Sequence, residues 1–240
     1  MFAIETKNLT KKYKNKTAVN GINLKINRGE LFALLGTNGA GKTTTIKMLS
    51  TLILPTGGEI KINGLDIVKD RQKIKELLNV SPQETAIAPN LSVKENLEFM
   101  AGVYKIPNRK EKIDELIRMF KLEEVLNQKA KTLSGGWQRK VSVALSLINE
   151  PDILFLDEPT LGLDVISRKE LWNVIEGLKD KITIILTTHY MEEAESLSDR
   201  IGIMAKGNLI AVGTANELIA QTGTEKFEDA FVKIATGGEL

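Results

Sequence analysis

Gly36-Thr37-Asn38-Gly39-Ala40-Gly41-Lys42-Thr43 has the spacing of a loop that holds phosphate. In G-x-x-x-x-G-K-[ST], small residues let backbone N–H groups wrap a phosphate chain. The lysine reaches the outer phosphates, the threonine hydroxyl holds magnesium, and Thr44 carries the loop into a helix. A second cluster, Asp157-Glu158-Pro159, closes the apolar run Ile153-Leu154-Phe155-Leu156. Successive strand residues face opposite ways, so the two acids can divide the work. Asp157 would hold magnesium, directly or through water. Glu158 would accept a proton from an attacking water, or orient it. The third cluster is Leu133-Ser134-Gly135-Gly136-Trp137-Gln138-Arg139, which opens a helical run with a hydroxyl and free N–H groups, a second place for an anion. Alone, Ser-Gly-Gly is a helix cap and Asp-Glu a solvated turn. Together with the loop they predict binding and hydrolysis of a nucleoside triphosphate.

Those residues need positioning elements, and the sequence supplies them. Leu31 to Leu35 reads as a buried strand, and Thr44 to Leu52 as a helix through Ile46, Leu49 and Ile53, which would put the phosphates at a helix N-terminus. Ala3 to Leu9 and Gly21 to Ile26 read as half-buried strands. Asn27 to Glu30 is a turn, and Glu59 to Asn63 a short strand closed by Asn63-Gly64. From about Glu84 to Asn149 the character is helical. Ser92 to Tyr104 opens with a Ser92/Glu95 capping box, and Lys110 to Phe120 gathers Ile113, Leu116, Ile117 and Phe120 on one face. Strand-like runs return at Ile153–Leu156, Ile182–Leu186, Ile201–Met204 and Leu209–Val212, with Ser167 to Lys179 helical between the first two. The expected fold is α/β, a P-loop NTPase core with a mixed sheet flanked by helices. To it are added an N-terminal antiparallel β subdomain and an inserted α-helical subdomain carrying the Ser-Gly-Gly cluster. Residues 1–240 form a single domain in this reading, with 1–83 and 150–222 as core, 84–149 as helical block and 223–240 as a short terminal helix.

Composition limits the partners. The 240 residues carry a net charge of +2, with 27% charged and 42% hydrophobic residues, and the scattered charges leave no footprint for nucleic acid. Cysteine is absent, which removes disulfides and thiolate metal sites and fits a reducing compartment. The sequence has no apolar run of membrane-spanning length, and the N-terminus lacks the pattern of a signal peptide. The expectation is a cytoplasmic chain with no direct membrane insertion.

In order along the chain come Tyr13, the phosphate loop, Gln83, Leu133 to Trp137, Asp157-Glu158, Gly162-Leu163-Asp164 and His189. That series resembles the ATP-binding-cassette family over nearly the whole length. The resemblance implies that two such domains face head to tail, closing each ATP and Mg2+ between one subunit's phosphate loop and the other's signature. Tyr13 would stack on adenine. Ser134, Gly135 and Gly136 would contact the γ-phosphate of the partner's nucleotide, and Asp164 would lie at the dimer seam. Gln83 would touch magnesium and the attacking water. His189, alone a histidine with an ordinary structural role, would hold the γ-phosphate. Two departures stand out: Trp137 where the signature most often ends in glutamine, and Val165 where proline often follows the aspartate.

Pro89 to Val103 and Met191 to Thr214 look like the ATP-binding subunits of bacterial drug, ion and polysaccharide exporters. Those dock on separate transmembrane permease subunits, at the inner face of the membrane. The second cassette could be a copy of this chain or a different subunit, and import remains open because the motor serves both directions. Ending at Leu240, the chain leaves no room for the extra C-terminal β domain of many importer cassettes. The alternative is a soluble cassette ATPase of DNA repair, chromosome organisation or translation. Its repair and chromosome members need a long coiled coil between loop and signature, and no sustained heptads occur there.

Overall fold

The structure, a computed structural model, describes residues 1–238. β1 (Phe2–Tyr13) and β2 (Lys16–Asn27) pair antiparallel, and β2 alternates buried Ile22, Leu24 and Ile26 with exposed Asn23 and Lys25. The turn after β2 places Gly29 at φ 76 and leads into β3 (Leu31–Gly36), which is buried throughout. α1 (Lys42–Leu49) starts and stops earlier than its apolar spacing predicts. The chain leaves the helix at Thr51, whose φ is 64. β4 (Gly57–Ile62) and β5 (Leu65–Asp66) form a hairpin on Asn63-Gly64, at φ 49 and 85, the two positive values such a tight turn requires. Antiparallel pairing gives a four-stranded sheet in the order β2-β1-β4-β5.

α2 (Arg71–Leu77) and β6 (Leu78–Ser81) lead into the helical stretch, made of α3 (Val93–Val103), α4 (Arg109–Phe120) and α5 (Gly135–Ser146). The capping box of α3 forms: Glu95 N–H donates to Ser92 Oγ at 3.1 Å, and Ser92 N–H donates to Glu95 Oε2 at 2.7 Å. α4 buries the four residues its spacing selects. The apolar faces of these helices share one cluster, in which Leu97, Leu116, Phe120 and Val141 are buried.

The chain then alternates through β7 (Ile153–Asp157), α6 (Val165–Glu176), β8 (Thr183–Thr188), α7 (Met191–Leu197), β9 (Arg200–Ala205) and β10 (Asn208–Gly213). The second sheet runs β10-β9-β3-β8-β7-β6, parallel except for the edge strand β10. Its central strands are covered on both faces, as parallel strands are. Phe32, Phe155 and Ile185 enter a core shared with the antiparallel sheet and α1, whereas Leu154, Leu156, Ile184 and Leu186 face the helical cluster. Each such side chain contributes about 1.5–3 kcal/mol by its burial.

α8 (Ala215–Thr222) and α9 (Phe227–Thr236) close the described chain. α8 is a helix beyond those the sequence periodicity predicts, and Thr214 and Glu217 form the capping box that marks its start. α9 lies in the segment read as a terminal helix, and residues 239 and 240 of that segment lie outside the described residues. Its buried Phe227 and Phe231 join Ala33, Leu35, Ile201 and Ile203, so its apolar face packs on this chain's own core.

Candidate nucleotide site

The order β3-β8-β7-β6 places four strand ends side by side, and the loops leaving them hold the polar residues of the site. The phosphate loop leaves β3, His189 leaves β8, Asp157 and Glu158 end β7, and Gln83 follows β6. This is the carboxyl edge of parallel strands, where open α/β sheets bind ligands. A cavity of about 460 Å³ opens there. Asn38, Gly39, Ala40, Gly41, Lys42, Thr43 and Thr44 line it, together with Gln83, Glu158 and His189.

Two glycines of the loop are required sterically. A Cβ on Gly36 would collide with the Met204 carbonyl oxygen. Gly41 sits at φ 105, and a Cβ there would come within 2.5 Å of the Ala18 carbonyl oxygen. Gly41 is also the N-cap of α1 and offers no side-chain cap, so the first-turn N–H groups of the helix keep no side-chain partner. The loop thus presents a helix N-terminus suited to an anion.

Lys42 is 5% exposed, and its Nζ donates to the carbonyl oxygens of Gly36 at 2.7 Å and Thr37 at 3.3 Å. It also stands 3.5 Å from Glu158 Oε1. Burial draws the Lys42 ammonium below its ordinary pKa, opposed by the charges of Glu158 and Asp157. Asp157 Oδ1 accepts from Thr43 Oγ1 at 3.2 Å and from Thr187 Oγ1 at 2.6 Å. Glu158 adopts φ 48, held by its N–H donating to Thr187 Oγ1 at 3.0 Å and to the Thr187 carbonyl at 3.1 Å. His189 Nδ1 lies 3.3 Å from Glu158 Oε2, out of hydrogen-bond alignment with it.

These residues fit a magnesium nucleotide. Thr43 and Asp157 bring a hydroxyl and a carboxylate together as hard oxygen donors. Among the described residues, no three His, Cys, Asp or Glu side chains cluster as a metal cage. Magnesium suits such a sparse donor set, because it takes one or two protein ligands and completes its shell with phosphate oxygens and water.

Other expected site residues lie away from this cavity. Ser134 is the N-cap of α5, its Oγ accepting from Trp137 N–H at 3.4 Å. Ser134 and Gly135 are exposed, and none of Ser134, Gly135, Gly136 or Asp164 lines the cavity. Asp164 caps α6, accepting from the N–H groups of Ile166 at 2.9 Å and Ser167 at 3.0 Å. The Ser167 hydroxyl, donating at 2.7 Å, does most to hold this carboxylate below its ordinary pKa. Gly136 lies against Ser167, where an added Cβ would meet Oγ at 2.8 Å, so the starts of α5 and α6 touch. Tyr13 is 47% exposed at the end of β1, with Lys11 Nζ 5.3 Å from its ring centre.

Several residues of the site have a role that the sequence does not announce. Lys16, paired with Tyr13 across the hairpin, lines the cavity with Ala18 and Leu161. Thr187 orients both acids of β7. Arg139 is buried on α5 and donates to the Pro82 carbonyl at 2.7 Å and also to the Gln83 carbonyl, tying the signature helix to the loop after β6. Burial pulls its guanidinium below its ordinary pKa. The one available signal was its place just after the signature.

The sequence profile described as ABC transporter matches residues 19–161. A probable multidrug ABC transporter ATP-binding protein of Escherichia coli, YbhF, is 40% identical over 96% of this chain and 41% of its own length. The daunorubicin resistance ATP-binding protein DrrA3 of Streptomyces coeruleorubidus is 38% identical over 99% of this chain and 75% of its own. The chain thus spans about two fifths of the first relative and three quarters of the second. A dimeric post-hydrolysis state of the ATP-binding cassette MJ0796, bound to ADP and Pi, superposes with a TM-score of 0.79 at 27% identity, covering 88% of this chain and 98% of that one. With the phosphate loop, the acidic strand end and the signature helix on one fold, and with these likenesses, the chain belongs to the ABC transporter family as one of its ATP-binding cassettes.

Proposed function

We propose that this chain is the MgATP-hydrolysing motor of a transporter, paired head to tail with a second cassette subunit and driving separate transmembrane subunits in export. The observation that carries this reading is the convergence of Lys42, Thr43, Asp157, Glu158 and His189 at one edge of the parallel sheet. Backbone N–H groups from Gly36 to Thr44 cradle the phosphates, and Lys42 neutralises the outer ones. Tyr13 stacks on the adenine. Thr43, Asp157 and Gln83 hold magnesium, which when bound screens the charge on the phosphate oxygens. Glu158 takes the proton of the attacking water, and His189 orients that water and the terminal phosphate. Ser134, Gly135 and Gly136, remote from this chain's own cavity, complete the second subunit's site, with Asp164 at the seam.

The names of the drug-resistance relatives support export. No helix among the described residues is long and apolar enough to cross a membrane. Leu52, Tyr104 and Ile106 line a cleft of about 620 Å³, and exposed Phe99 and Val103 lie one turn apart on α3 beside it. Exposed apolar side chains beside a cleft of mixed polar and apolar lining suit a transmembrane partner's docking segment, which would hold the chain at the inner face of the membrane.

Two measurements test the proposal. Titration calorimetry with MgATP should show micromolar-range binding that Lys42→Ala weakens at least about tenfold, since the variant removes the buried cation facing the phosphates. The specific ATPase rate should rise with protein concentration. Unchanged affinity in the variant, or a rate flat down to demonstrable monomer, overturns it.

A further inference from the structure

We propose that Glu193 is a positioning residue for hydrolysis, one buried carboxyl that locks the turn after Glu158 to the turn carrying His189. The proposal rests on the hydrolytic reading above. Glu193 is 0% exposed in α7, four residues beyond His189. Its Oε1 accepts from Thr160 Oγ1 at 2.7 Å and from Trp172 Nε1 at 3.0 Å. Thr160 is likewise 0% exposed and sits two residues beyond Glu158, in the turn where Leu161 N–H donates to the Glu158 carbonyl at 3.2 Å. Leu163 N–H then donates to the Thr160 carbonyl at 3.1 Å, one residue short of Asp164. Trp172 belongs to α6, the helix that Asp164 caps. The Thr188 hydroxyl, which accepts from Tyr190 N–H at 2.9 Å, lies near the same carboxyl from the His189 side. Three segments that present Glu158, Asp164 and His189 therefore meet at one carboxyl.

That oxygen is the shared acceptor for two buried donors, while Oε2 is buried without a hydrogen bond. Burial raises the carboxyl above its ordinary pKa, against the pull of these hydrogen bonds and of Arg168. The two donors at Oε1 offset part of the cost of burying this carboxyl. Structural burial alone would be served by an apolar residue. A double acceptor at this junction instead fixes where Glu158 and His189 stand relative to each other. A displacement of about 1 Å at such a pair can cost on the order of a hundredfold in rate.

The full chain carries its own reporter, because His189 is the only histidine and gives a single imidazole resonance. Glu193→Gln keeps the acceptor oxygen and should hold kcat within about threefold, with the His189 resonance unmoved. Glu193→Ala should lower kcat at least about tenfold, leave the MgATP Kd within about threefold and shift or broaden that resonance. Leu218→Ala, a cavity in the core under α8, controls for destabilisation alone and should spare both readouts. If Glu193→Ala does not fold, Thr160→Val removes the same bridge from the other side and carries the same expectations. An unmoved histidine signal with kcat within threefold overturns the proposal, and so does a loss of MgATP affinity that accounts for the whole rate loss. Wild-type protein without ATPase activity would defeat the proposed function instead, and the histidine comparison would still decide the positioning role.

Discussion

Lys42 Nζ stands 3.5 Å from Glu158 Oε1, so the cation of the phosphate loop and the acid of the neighbouring strand are held as a buried pair. The same carboxylate reaches His189 with its other oxygen. An incoming γ-phosphate therefore competes with Glu158 for Lys42, and the acid's negative charge opposes that phosphate.

Replacing Glu158 with glutamine removes the competition and, in the proposed mechanism, the base. Glu158→Gln should bind MgATP at least as tightly as wild type while losing turnover by ~10²–10⁴-fold. The uncleaved nucleotide should hold two subunits together, seen as an ATP-dependent dimer on size exclusion. Wild-type turnover in this variant would take Glu158 out of the chemistry.

Arg139 is the tie between the signature helix and Gln83. Its planar guanidinium reaches two successive carbonyls, Pro82 and Gln83, a fork that a lysine ammonium does not reproduce. Arg139→Lys should cost about 1.5–3 kcal/mol in urea unfolding, the range for hydrogen bonds to a charged group. Stability within error of wild type would show the two carbonyl contacts to be dispensable.

The strong local signals of the sequence are those where chemistry and backbone demand coincide. Gly36 and Gly41 are needed both by the phosphate loop and by the close approach of Met204 and Ala18. Asn63-Gly64 fixes a turn, and Ile153–Leu156 a strand, without help from elsewhere. The meeting of Thr187 with Asp157, of Arg139 with Gln83 and of Glu193 with Thr160 spans 30, 56 and 33 residues of sequence separation. Each depends on strand order, which no local period encodes. α2 and β6 were missed for a related reason: both are short, and α2 buries only Ile74, too little to set a helical period.

Trp137 departs from the usual signature and sits half-buried against the helical cluster, with Lys140 Nζ 4.4 Å from its ring centre. Lys140 in turn bonds Glu170 of α6 at 2.6 Å. Lys140 thus braces α5 against α6 with the indole beneath it, and the proposed function leaves phosphate contact to the Ser134 hydroxyl and the helix N–H groups. Trp137→Gln should keep the maximal ATPase rate within a few-fold and shift its dependence on protein concentration. Ser134→Ala should lower the maximal rate far more. The opposite ranking would give the indole a catalytic part.

The protonation of Glu193 sets a pH signature on stability. Burial raises this carboxyl above its ordinary value near 4.5, and Arg168 is the charged side chain that acts on it. The native state therefore keeps a proton that the unfolded chain releases. Between the unfolded and native pKa values, each step up in pH costs the wild type stability; below that window the cost is absent, and above it the cost is constant. Glutamine carries no such proton. The Tm of Glu193→Gln minus that of wild type should therefore grow as pH rises from about 4.5 through the native pKa and then level off. Scanning fluorimetry in matched buffers from acid to mildly alkaline pH reads the difference directly. A constant difference across the range would mean that Glu193 titrates as it does in the unfolded chain, and that the junction of Thr160, Trp172 and Thr188 is held by a carboxylate.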